Sequence, residues 1–139
     1  MSKAFAFAGV RVGYLLAKPE CIDAMLVTRL PYHLSALTQA AAEVALDHAS
    51  TLQDGIQLLA QERERLRSAL GEVGWQSYES AANFLLFSGF SGSSKDVWNA
   101  FLDRGVLIRD ISLEGYLRVT VGAPEENDRF ISALTEIAK

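Results

Sequence analysis

Along this chain apolar residues recur first at the two-residue spacing of a strand, then at helical spacing, and beyond residue 75 the two periods alternate. In residues 10–17, Val10, Val12, Tyr14 and Leu16 share one face and Leu15 is also apolar, which predicts a strand. Pro19 and Glu20 then suit the first turn of a helix, with Ile22, Met25, Leu26 and Arg29 at helical spacing. Pro31 stops that helix, because it lacks an amide hydrogen and disfavours helical geometry at Leu30. Ser35 is placed to cap an alanine-rich helix over residues 36–49, which the polar run Asp47-His48-Ala49-Ser50-Thr51 interrupts. A long helix over residues 51–70 follows, with Leu52, Ile56, Leu59, Leu66 and Leu70 as its apolar stripe and Arg63 in the remaining stripe position. Gly71 or Gly74 supplies its stop. Glu62, Glu64, Arg65 and Arg67 read as the solvated face of that helix.

The remainder predicts an edge strand over residues 75–78 and a strand over 83–87, whose nearly unbroken apolar run suits a sheet centre. After the loop of residues 89–94, Ser94 is expected to cap a helix that buries Val97, Trp98, Phe101 and Leu102 and closes at Arg104-Gly105. Strands are predicted at 106–108 and 116–121; in the second, Tyr116, Arg118 and Thr120 face one way and Leu117, Val119 and Val121 the other. Pro124 opens a last helix that turns Phe130, Ile131, Leu134 and Ile137 inward. The order strand, strand, helix, strand, strand, helix predicts an α/β chain with a small α+β layer, its helices covering one face of a small sheet.

Composition narrows the function classes. At 139 residues with 50% hydrophobic side chains, the chain can bury a real core. A net charge of -4 with arginines interleaved among glutamates lacks the basic stripe of a nucleic-acid surface. No apolar run reaches membrane-spanning length, and the N-terminus lacks the pattern of a signal peptide. The lone Cys21 cannot form an internal disulfide, which fits a reducing, cytoplasmic setting. His33 and His48 have no cysteine or carboxylate neighbours at metal-ligand spacing, so no metal is expected.

The chemistry-bearing stretch is the N-terminus. Lys3 stands beside Ser2, and Arg11 follows between Gly9 and Gly13, where the backbone can turn tightly or approach a ligand. An amine can anchor a carbonyl cofactor covalently, while a hydroxyl and a guanidinium can hold a phosphate. Taken singly, each of these residues reads equally as a solvated charge or a turn residue. The strings Ser2-Lys3-Ala4-Phe5 and Ala8-Gly9-Val10-Arg11-Val12-Gly13-Tyr14 together resemble the lysine segment of the class I/II pyridoxal-phosphate aminotransferases, nearest to the histidinol-phosphate aminotransferases. Arg29-Leu30-Pro31-Tyr32-His33-Leu34-Ser35, Ser80-Ala81-Ala82-Asn83-Phe84-Leu85-Leu86-Phe87, Gly105-Val106-Leu107-Ile108-Arg109-Asp110 and Gly115-Tyr116-Leu117-Arg118-Val119-Thr120-Val121-Gly122 look like later family segments, in order.

That resemblance implies fold type I, pyridoxal 5'-phosphate as cofactor, and a homodimer acting on small molecules. Lys3 would be the catalytic lysine, with Ser2 and Arg11 on the cofactor phosphate. Residues 1–34 would be a remnant of the large cofactor-binding domain and residues 35–139 the C-terminal small domain. The family's large domain supplies the ring-stacking aromatic residue and the Asp that pairs with the pyridinium nitrogen. The chain is therefore expected to be the C-terminal portion of a longer enzyme, or a natural remnant of one. It is expected to associate through its first strand and not to turn over alone. Arg118 would take the anionic end of the substrate and Arg109 would help; from the residues alone, Arg118 could instead pair with Glu114 or Asp110, and Arg109 with Asp110. An aromatic amino acid aminotransferase and a non-catalytic small domain remain the alternatives.

Overall fold

The computed structural model describes all 139 residues, in two compact units, Met1–Ile56 and Gln57–Lys139. The boundary falls inside the longest helix.

In the first unit, residues 1–11 form successive turns, closed by Phe5 N–H to Met1 O, Ala6 N–H to Lys3 O and Val10 N–H to Phe7 O. Residues 12–18 carry no regular structure, so the strand expected at 10–17 does not form. A strand needs a neighbour for its amides and carbonyls, and no segment of this unit offers one. Helix α1, Pro19–Thr28, starts with its proline in the first turn and buries none of its residues. Helix α2, Ala36–Asp47, is capped as expected: Ser35 Oγ accepts the Thr38 amide at 3.0 Å. Only Ala45 of α2 is buried. His48 alone separates it from α3, Ala49–Glu72.

The second unit holds the core. Its part of α3 buries Leu66, Ala69 and Leu70, and Gly74 ends the helix at φ +80° while the Trp75 amide returns to Leu70 O at 2.9 Å. Strands β1 (Gln76–Ser77) and β2 (Phe84–Ser88) follow, then α4 (Ser94–Asp103), β3 (Arg109–Asp110), β4 (Tyr116–Thr120) and α5 (Pro124–Ile137). The sheet is antiparallel throughout, in the order β1-β2-β4-β3. Leu85, Phe87, Leu117 and Val119 line its covered face and pack with Leu66, Leu70, Val97, Phe101, Phe130 and Leu134. Each large side chain buried there contributes about 1.5–3 kcal/mol. Phe101 and Phe130 stack at 5.1 Å between ring centroids, which ties α4 to α5. The α+β layer with helices on one face is the architecture the periodicity predicts.

Leu102 of α4, expected inside, is 43% exposed, and two further local expectations are corrected. Ser93, not Ser94, caps α4, accepting the Asp96 amide at 3.1 Å. The strand expected at 106–108 pairs only at Arg109–Asp110, because α4 claims its polar groups. The Val106 amide donates to Phe101 O behind the Gly105 helix stop, and Ile108 O accepts from Trp98 Nε1 at 2.9 Å.

Candidate functional site

Helices cover one face of the sheet, and the alternation of β2 and β4 puts Phe84, Leu86 and Ser88 with Tyr116, Arg118 and Thr120 on the other. On that face Arg118 stands directly opposite Leu86 on one side and Arg109 on the other. Residues so paired have Cβ atoms roughly 4.5–5.5 Å apart, so the two arginines are cross-strand neighbours. Like charges in this position repel.

No carboxylate relieves them. Asp110 Oδ1 accepts the Ser112 amide at 2.8 Å, and Glu114 Oε1 accepts the Ser94 amide at 2.8 Å. The ion pairs that the sequence left open for Arg118 and Arg109 are thus not made, and neither arginine has an ion-pair partner. Arg118 lays its guanidinium 4.7 Å from the centre of the Phe84 ring, and its Nε is buried without a hydrogen-bond partner. A buried donor left unmade costs about 1–3 kcal/mol, so a conformation with this cost invites an acceptor. The arrangement can bind an anion.

Beside this row, the Tyr78 and Tyr116 hydroxyls hydrogen-bond at 3.3 Å, and that bond raises the Tyr116 pKa. A cavity of about 340 Å³ lies between residues 105–108, the end of β4 and the start of α5, and contains neither arginine.

The corner after β4 is fixed by a network the sequence did not reveal. Asn127, almost fully buried, donates to Glu62 Oε2 at 2.7 Å and to Gly122 O at 3.0 Å, and accepts the Gly122 amide at 3.0 Å. Arg65 binds Glu62 Oε2 at 2.8 Å, Pro124 O at 3.1 Å and the Asp128 carboxylate. The Arg65 hydrogen bond, then the Asn127 one, hold the Glu62 carboxyl below its usual pKa, and the same Glu62 contact raises that of Arg65. Sequence alone reads Glu62 and Arg65 as a solvated face; nothing local marks their partners more than fifty residues away.

In the first unit, Ser2, Lys3 and Arg11 lie on one run of turns. Lys3 is exposed and neither it nor Ser2 has a side-chain partner, while Arg11 Nη1 donates to Ala8 O at 3.1 Å. Arg11 itself takes the left-handed conformation, φ +57°, and Gly9 and Gly13 do not. The tight turn therefore rests on the arginine and not on the flanking glycines that suggested it. A free amine, a free hydroxyl and a guanidinium with donors to spare form a donor set that suits a phosphorylated aldehyde.

The sequence pattern of the aminotransferase class I and II family matches residues 1–134. The chain belongs to that family. It is 56% identical to the histidinol-phosphate aminotransferase of Rhodococcus opacus over 138 residues, 99% of this chain and 36% of that protein. Against the histidinol-phosphate aminotransferase of Corynebacterium glutamicum it is 52% identical over 139 residues, 100% of this chain and 38% of that protein. The chain thus spans little more than a third of the length of these relatives. Among solved structures, the Sinorhizobium meliloti histidinol-phosphate aminotransferase in complex with pyridoxal-5'-phosphate superimposes with a TM-score of 0.79 at 28% identity, over 99% of this chain and 39% of that one. The Clostridium acetobutylicum histidinol-phosphate aminotransferase shares the fold, with a TM-score of 0.87 at 23% identity over 99% of this chain and 44% of that one. The fold-type-I expectation holds, and this aminotransferase family depends on pyridoxal phosphate. No helix of the chain is long and apolar enough to cross a membrane.

Proposed function

We propose that these 139 residues serve as the C-terminal part of a histidinol-phosphate aminotransferase, which moves an amino group between histidinol phosphate and 2-oxoglutarate. The observation that carries the reading is the unpartnered Arg109–Arg118 row, a pair of cations suited to a phosphate or carboxylate. The 52–56% identity to proteins of that name supports it. In this reading residues 1–34 belong to the large cofactor-binding domain and residues 35–139 to the small domain.

Pyridoxal phosphate, when bound, supplies an electron sink that makes the substrate Cα proton acidic. Ser2 and Arg11 would hold its phosphate through charge-assisted hydrogen bonds, and Lys3 would anchor it covalently. The Lys3 amine would serve as the general base that takes the proton from the substrate Cα. Arg118 grips the substrate anion as a fork, and Arg109 adds a second charge beside it. The exposed apolar residues of the first unit, among them Leu16, Val27, Leu30 and Tyr32, call for cover, in keeping with a homodimer. A cytoplasmic setting fits the exposed free Cys21.

The test is a chimera in which residues 1–139 replace the matching 38% of the Corynebacterium glutamicum relative. It should turn over histidinol phosphate with 2-oxoglutarate, and Arg118→Lys should raise KM sharply, because an ammonium cannot reproduce the fork. A folded chimera without turnover refutes the reading. Turnover of phenylalanine in preference to histidinol phosphate selects the aromatic aminotransferase instead.

A further inference from the structure

Strand β3 is only Arg109 and Asp110, held to β4 by two residue pairs, whereas β4 is bound to β2 by five. Arg118 is therefore fixed from the β2 side. Arg109, on an edge strand of two residues, is anchored on its N-terminal side by the core residue Ile108, whose carbonyl accepts Trp98 Nε1 at 2.9 Å, and needs a second support on the other side. The turn that joins the strands, residues 111–115, has one. The Ser94 amide, at the first turn of α4, donates to Glu114 Oε1 at 2.8 Å. Ser94 Oγ in return accepts the Gly115 amide at 2.7 Å. Ser94 is 4% exposed while Glu114 is exposed, so the two bonds are shielded on the Ser94 side only, and the Glu114 charge lies at a helix N-terminus, where the dipole favours an anion. Gly115 makes its bend at φ +82°, and Ser112 takes φ +60° with its amide on Asp110.

We propose that Ser94 and Glu114 form a reciprocal clamp that holds Arg109 opposite Arg118, and so sets the preference of the site for a dianionic group over a monoanionic one. The inference rests on the reading of Arg109 and Arg118 as the substrate-anion site. The chemistry follows from charge. One guanidinium fork satisfies a carboxylate, while a phosphate dianion gains from a second cation at a cross-strand distance. Releasing the clamp lets the two-residue strand fray and withdraws the second cation, but leaves Arg118 in its ladder with β2. Ser94 and Glu114 are positioning residues: they act through Arg109 and do not touch the ligand.

The experiment uses the 139-residue chain, with inorganic phosphate and acetate as probes. Arginine Nε resonances are followed by NMR during each titration, and amide hydrogen exchange is measured in β2, β3 and β4. In the unaltered chain phosphate should shift both Arg109 and Arg118 and bind more tightly than acetate. In Glu114→Ala, amide exchange in β3 should accelerate several-fold while that of the β2–β4 ladder stays unchanged. The Arg109 shift should vanish, the Arg118 shift should persist, and the preference for phosphate over acetate should fall toward unity. Glu114→Gln, which keeps an acceptor without the charge, should lie between, and it carries the comparison if Glu114→Ala does not fold. Unchanged exchange in β3 and an unchanged phosphate preference in the folded variant overturn the clamp while leaving the anion site standing. Absence of any phosphate shift at either arginine in the unaltered chain overturns the anion site itself, and the clamp with it.

Discussion

Arg118→Met separates binding from stability, because the native arginine is costly to the fold as it stands. Its Nε is buried and unpartnered, a penalty of about 1–3 kcal/mol. It also faces Arg109 across the strand pair, an opposition that costs a few tenths of a kcal/mol to about 1 kcal/mol. Against these stands the contact of its guanidinium with the Phe84 ring, worth about 0.5–2 kcal/mol. Methionine keeps an unbranched apolar stem over Phe84 and removes both penalties. The balance favours the variant by about 1 kcal/mol, or a rise in Tm of about 3–5 °C. Urea or thermal unfolding of the 139-residue chain, followed by the fluorescence of the buried Trp75, reads this directly. The same variant should lose phosphate binding. A destabilisation of about 1 kcal/mol or more would show that Arg118 holds the sheet together, and would refute the argument that it is kept for a ligand.

Other outcomes follow from the same contacts. Asn127→Ala removes three hydrogen bonds at the corner after β4, one of them to a carboxylate, and should cost about 3–4 kcal/mol in chemical denaturation. The lowered pKa of Glu62 contributes stability that is present above its ordinary value of 4.5 and is lost as pH falls through the folded value below it. Glu62→Gln should accordingly flatten the acid limb of the stability profile at that end. For the first unit, with its exposed apolar side chains, sedimentation of the chain should show a self-associated species; a monomer at all concentrations would refute this.

Much of the second unit was legible because its elements carry their own signals. The helical stripe of Leu66 and Leu70, the alternation of residues 116–121 and the proline at the start of α5 each point to the structure that forms. What misled depends on partners remote in sequence. Residues 10–17 alternate as a strand does, but a strand needs a neighbour to complete its ladder, and this chain offers them none. Residues 106–108 are apolar and β-branched in part, yet α4 takes the Val106 amide and the Ile108 carbonyl before a ladder can. Ser93 and Ser94 are indistinguishable as caps by type; the Glu114 carboxylate beside Ser94 decides between them. At the candidate site, the sequence suggested the arginines, while only the register shows that they face each other and that Asp110 and Glu114 are spent elsewhere.

The most direct test of the account is reductive trapping on the chimera that carries residues 1–139 in the Corynebacterium glutamicum relative. Borohydride reduction in the presence of pyridoxal phosphate, followed by peptide mass spectrometry, locates the lysine that holds the cofactor. A pyridoxyl group is expected on Lys3, and it should be lost together with turnover in Lys3→Ala. A label on Lys18 or Lys95 with Lys3 unmodified, or undiminished turnover in Lys3→Ala, would contradict it.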